Sequence, residues 1–161
     1  MSLILEVEYL SGVSFAGIGP DSEAPDWPPE LDRIFSALVA TWAARGQDTQ
    51  EAAALEWLEN LSAPRILASG AEPRTPAIAF VPPNDPRSDK QKNARGVLPV
   101  LRSRQARRFP AARPHNPVVR LIWTGSEPKG EVLGPLQLLA RDTSYVGHSA
   151  SLTRCLCLAN S

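Results

Sequence analysis

The residues best equipped for chemistry form one cationic stretch. Arg102-Ser103-Arg104-Gln105-Ala106-Arg107-Arg108-Phe109-Pro110-Ala111-Ala112-Arg113-Pro114-His115 sets arginines around one aromatic ring and two prolines. Counted more widely, residues 84–120 carry ten bases (Arg87, Lys90, Lys92, Arg95, Arg102, Arg104, Arg107, Arg108, Arg113 and Arg120) against Asp85 and Asp89, a local charge of +8. A planar guanidinium binds phosphate through two parallel hydrogen bonds and stacks on bases, so a polyanion is the first partner these residues imply. An extended basic arm can lie along a single RNA strand, with Phe109 or an arginine plane against a base. Each stacked base is worth ~1–3 kcal/mol, and each neutralised phosphate adds about 0.7 to the salt slope. The competing reading is a solvated loop, or an arm that neutralises acidic residues elsewhere in the chain.

Three further clusters invite chemistry. Gly147-His148-Ser149-Ala150-Ser151, after Tyr145, is a small-residue loop whose amides could hold a phosphate as a backbone nest. The chain has two histidines, and a metal-independent ribonuclease needs a general base for the 2′-hydroxyl and a cation for the phosphorane. His115 beside Arg113, and His148 beside Tyr145, are the candidates for that chemistry. Neither lies in a motif that demands it. Cys155 and Cys157 with the two histidines make up a conceivable zinc set. Their spacing is unlike a paired-ligand knuckle, so no metal is expected. As neighbours at i and i+2 on a strand, the cysteines are poorly placed to bridge each other and more naturally face a core. No Gly-rich nucleotide loop, nucleophile elbow or paired-carboxylate motif is present, and no cofactor is expected.

These residues need elements to hold them. Leu3, Leu5, Val7 and Tyr9 alternate with Ile4, Glu6, Glu8 and Leu10, the period of a half-buried strand. Trp27-Pro28-Pro29-Glu30 opens a helix, in which Leu31, Ile34, Phe35, Leu38, Val39 and Trp42 form one apolar stripe. Arg45-Gly46 stops it, and Asp48 with Glu51 reads as a capping box for a second helix through Leu61. Ala77–Val81 reads as the second strand, cut by Pro82-Pro83-Asn84-Asp85, and Val118–Trp123 as the third. Between them, 83–116 shows no sustained apolar period, which marks a functional insertion or disorder. Val132, Leu133, Leu136, Leu139 and Ala140 suggest a helix that must keep Pro135 in its first turn. Leu152–Leu158 closes the chain as a strand. The order βαββαβ predicts an α+β, ferredoxin-like (RRM-like) domain over residues 1–161, with a long basic insertion, about 83–117, in the central hairpin.

Composition is consistent with one folded domain and no membrane span. The chain has 161 residues, 43% hydrophobic and 21% charged, within the ordinary globular range. Its sixteen prolines are about twice the ~5% average, so extended irregular backbone must be abundant. A net charge of zero hides a division: residues 1–60 hold eleven acids and two arginines, whereas 61–161 hold six acids and fifteen bases, about −9 and +9. No stretch approaches the ~18 apolar residues of a membrane helix, and the first residues lack a basic leader, so a cytoplasmic location is expected.

Six stretches together resemble a known family. They are Leu5–Leu10, Trp27-Pro28-Pro29 with Arg33–Trp42, Ala54–Leu58, Phe80–Asp85, Arg107-Arg108-Phe109-Pro110 with Val118–Trp123, and Tyr145–Leu152. They look like the N-terminal half of the Cas-five/Cas-six fusion subunit of CRISPR subtype I-G, formerly I-U. The resemblance spans nearly the whole chain. It implies a repeat-associated RNA-binding protein whose hairpin extends as a thumb and which caps the 5′ handle of the CRISPR RNA (crRNA) in the Cascade complex. Expected partners are crRNA, the backbone subunit, the large subunit and a separate Cas-six-type nuclease. By position, 83–116 would be the thumb, and Gly147-His148-Ser149 the loop near the handle, with histidine where the family often has arginine. A chain ending at Ser161 would lack the Cas-six-like half, so processing of precursor RNA is not expected. A metal-independent endoribonuclease is the alternative.

Overall fold

A computed structural model of the protein describes residues 2–19, 22–81 and 104–160. It shows an α+β protein with three helices and seven strands among those residues.

β1 (Ser2–Tyr9) follows its period of two faithfully: Leu3, Leu5, Val7 and Tyr9 are buried, and the residues between them are not. It lies at the centre of a four-stranded antiparallel sheet, between β6 (Val118–Thr124) and β7 (Thr153–Asn160), with the short β3 (Arg65–Leu67) on the outer edge of β6. The order across the sheet is β3-β6-β1-β7. One face carries the helices α1 (Leu31–Ala44), α2 (Thr49–Glu59) and α3 (Gly130–Asp142). The core fills the space between, where Ile34, Leu38, Leu55 and Leu139 join Leu5, Val7, Leu121, Cys155 and Cys157.

Local chemistry explains the helix ends. The Asp48 carboxylate accepts hydrogen bonds from the backbone N–H groups of Gln50 and Glu51, at 2.9 and 3.0 Å, and so caps α2 as its position predicts. Glu51 does not complete a capping box. Its carboxylate is buried and turned to Arg45, 2.8 Å away, which also pairs with Asp142 and so ties the ends of α1 and α3 to the start of α2. Asp48→Ala is therefore expected to cost about 1 kcal/mol, read as a lower urea midpoint. Pro135 stands in the second turn of α3 rather than the first, where it leaves the Glu131 carbonyl without its helical donor.

The largest departure from the sequence reading concerns the second strand. Ala77–Val81 is extended, but it belongs to a separate ribbon and not to the main sheet, whose second strand is the three-residue β3. The excursion from the main sheet begins at 68, not 83, and returns at Val118. Its arms are β4 (Ala71–Val81) and β5 (Gln105–Pro114), paired antiparallel from Ala71↔Pro114 to Val81↔Gln105. The stretch read as aperiodic therefore contains a ten-residue strand. At the foot, the Trp27 indole N–H donates to the Ser69 carbonyl at 2.8 Å, and the Asn116 N–H donates to the Ser69 hydroxyl at 2.9 Å. A two-residue strand, β2 (Ser14–Phe15), pairs with Ala111 and Ala112 and clamps the ribbon to the body.

Candidate nucleic-acid interface

The ribbon carries the cationic residues outward from this foot. Arg104, Arg107, Arg108 and Arg113 are all exposed. Arg107 donates to the Gln105 side-chain carbonyl at 3.2 Å, and Arg108 forms an exposed ion pair with Glu23. Arg87, Lys90, Lys92, Arg95 and Arg102 lie outside the described residues. Across the ribbon, Ile78 faces Arg108 and Phe80 faces Ala106. Phe80 is 63% exposed, a bare aromatic surface on the ribbon that carries the arginines.

At the foot the ribbon meets the loop after α3. That loop is a closed turn. The Ser151 N–H donates to the His148 carbonyl at 2.8 Å, and the Ala150 N–H to His148 Nδ1 at 3.1 Å. Ser151 is buried, and its hydroxyl accepts the Phe15 N–H at 2.8 Å, which locks the loop to β2. The imidazole of His148 lies against Phe109, with ring centroids 4.8 Å apart, and Phe15 is 6.2 Å away on another side. These rings and the backbone of Gly17 and Gly147 line an open cavity of about 280 Å³, with Arg33 and Arg108 at its wall. Of the residues proposed from sequence, Arg108, Phe109, Gly147 and His148 thus meet at one place. Arg107 and Arg113 line the ribbon instead, and Ser149 is exposed on the loop without lining the cavity.

The cavity has a residue that sequence reasoning missed. Arg33 leaves the first turn of α1, its Nε donates to the Asp26 carboxylate at 3.1 Å, and its Nη2 donates to the Gly17 carbonyl at 3.3 Å. Asp26 is only 7% exposed and also accepts the Glu30 N–H, so it is held in its turn. In the sequence Arg33 reads as one more polar position on an amphipathic helix.

A family of CRISPR-associated proteins, the GSU0054 family, matches residues 7–157. The chain belongs to this family. It is thus a CRISPR-associated protein with a role in CRISPR defence alongside other components of such a system. No curated protein matches it. The matched region of this CRISPR-associated protein runs from within β1 into β7, so the described ribbon and the Gly147–His148 loop both belong to the family's own extent.

The two histidines stand at different places on the ribbon and its foot. His115 stands at the ribbon foot, its Nε2 4.0 Å from the Glu72 carboxylate, whereas the His148 ring lies tilted at 59° against Phe109. Six residues of extended chain separate Phe109 from His115, on the order of 20 Å at ~3.4 Å per residue, too far for one reaction centre. Tyr145 is exposed on its loop. No group of metal-ligating side chains occurs among the described residues. Both cysteines are free thiols buried in the core, and burial pushes Cys155 up to about 11 and Cys157 up to about 12. No helix among the described residues is long and apolar enough to cross a membrane.

The thiol positions carry a pH dependence. Above the ordinary thiol value of 9.0 the unfolded chain releases protons that the folded protein retains. Stability is therefore fully present below that pH and falls as pH rises towards 11 to 12. Each pH unit of separation is worth about 1.4 kcal/mol. Urea midpoints are expected to drop through this window, and Cys157→Ala to flatten the drop. A thiol-reactive dye is expected to label both cysteines only once the protein is unfolded.

Proposed function

We propose that this protein is a non-catalytic, Cas-five-type RNA-binding subunit of a type I CRISPR Cascade complex, which holds the 5′ handle of the crRNA. The observation that carries this reading is the joining of a cationic, aromatic ribbon to the Gly147–His148 loop across an open cleft, in a member of a CRISPR-associated family. In the order β7-β1-β6-β3 the four main strands are the fourth, first, third and second of the core, each antiparallel to its neighbours. That order supports a ferredoxin-like core in which β4 and β5 form the thumb.

The mechanism is electrostatic and steric. Guanidinium groups on the ribbon neutralise successive phosphates, and exposed rings such as Phe80 stack bases. The body, with its acidic first sixty residues, docks on the backbone and large subunits, and a separate Cas-six-type nuclease supplies processed RNA.

Incubation with repeat RNA in EDTA tests the reading. The expected result is intact RNA retarded in a gel. Specific cleavage abolished by His148→Ala or His115→Ala would replace this reading with a metal-independent endoribonuclease, and an absence of any RNA complex would leave a protein-binding adaptor.

A further inference from the structure

We propose that the cavity at the ribbon foot takes a single nucleotide of the bound RNA, with its base stacked on Phe109 and its edge read by Arg33. This rests on the reading of the ribbon as an RNA-binding arm. At about 280 Å³ the cavity lies just below the ~300 Å³ where drug-sized pockets begin, a size that matches one nucleotide. Its aromatic wall is already assembled, because the imidazole of His148 braces the Phe109 ring at 4.8 Å.

The two arginines at the cavity differ in what they can do. Arg33 is compensated by the buried Asp26 at 3.1 Å, so it offers a phosphate little net charge. What remains is direction. With Nε on Asp26 and Nη2 on the Gly17 carbonyl, the guanidinium plane is fixed, and Nη1 lies beside Gly147 at the cavity. Nη1 and the remaining N–H of Nη2 still make a fixed fork of donors, which selects a base edge rich in acceptors, such as O6 and N7 of guanine, over adenine, which pairs N7 with a donor. Arg108 is the opposite case. Its partner Glu23 is exposed and replaceable, so Arg108 can turn to the phosphate of the same nucleotide.

Gly17 and Gly147 keep the cavity open. A Cβ at Gly17 would come within 2.9 Å of the Pro110 ring, and one at Gly147 within 2.9 Å of Arg33 Cδ.

The test uses a single-stranded RNA of mixed sequence in which the fluorescent base 2-aminopurine replaces one position at a time, with binding followed separately by gel shift. Stacking quench is expected at the one position that enters the cavity. Phe109→Ala is expected to abolish that quench, and Phe109→Tyr to retain it. With ordinary bases at that position, guanine is expected to bind about tenfold more tightly than adenine, and Arg33→Gln to erase the difference. RNA that binds with equal quench everywhere, or with none, overturns the pocket and leaves the RNA-binding reading intact. Quench at one position without a guanine preference in the unaltered protein overturns the role of Arg33, and that comparison needs no variant to fold. No RNA binding at all overturns the RNA-binding reading itself.

Discussion

With Arg107 and Arg108 both replaced by alanine, affinity for single-stranded RNA falls and its dependence on salt flattens by about 1.4 in log–log slope, two phosphates at about 0.7 each. Over a fourfold rise in salt, the unaltered protein is then expected to lose about sevenfold more affinity than the variant. Successive residues of a strand project to opposite faces, so the pair offers guanidinium groups on both sides of β5. Neither side chain is committed to the fold: Arg107 leans on Gln105, and Arg108 pairs with Glu23 in the open. That pair is the serious objection to an RNA-binding role, since a guanidinium already neutralised by the protein's own carboxylate has nothing to offer a polyanion. Magnitude decides the matter. Exposed ion pairs are worth about 0–1 kcal/mol, whereas a phosphate contact also releases condensed counterions. RNA should displace Glu23, and Glu23→Gln is expected to raise affinity by up to about fivefold. Filter binding across a salt series measures both variants. An unchanged slope in the double variant would mean that these guanidinium groups do not touch phosphate.

The main sheet and helices were readable because their faces differ. β1 has helices on one side only, so burial alternates strictly, and α1 shows its stripe because one face meets the core. The ribbon obeys no such rule. Towards its tip both faces of β5 are open, and Gln105 through Arg108 are exposed in succession. At the foot both faces are covered, and Pro110, Ala111 and Ala112 are buried in succession. A strand that passes from doubly exposed to doubly buried has no period of two. The small residues at 111 and 112 are buried where β5 pairs with β2, yet in the sequence they read as filler. β3 was missed for a different reason: three residues are too few to show a pattern, and the longer apolar run Ala77–Val81 took its place in the count. The candidate interface was half legible. Charge density marked the ribbon, and the small-residue turn marked the Gly147–His148 loop. Their meeting, and the arrival of Arg33 and Phe15 from elements distant in sequence, is a product of the fold.

Gly147 offers the sharpest test of how firmly that meeting is held. Its backbone is left-handed, φ +77°, and an alanine there costs roughly 1–2 kcal/mol from backbone sterics alone. Gly125 provides the matching control, since its φ is +78° and nothing lies within 4 Å of where its Cβ would be. Gly125→Ala should therefore register the backbone cost and no more. Gly147→Ala must in addition push Arg33 Cδ, which a Cβ would meet at 2.9 Å. A free arginine would swing aside at little cost, but this one is tied to Asp26 and to the Gly17 carbonyl. Moving it leaves a buried carboxylate short of a donor, a penalty of about 1–3 kcal/mol. The expected outcome is a loss from Gly147→Ala larger than that from Gly125→Ala by about that amount, read from urea midpoints at constant m-value. Guanine preference should also weaken in Gly147→Ala and persist in Gly125→Ala. Equal losses would show that the Arg33 side chain yields freely, and a fork that yields freely could not select a base edge.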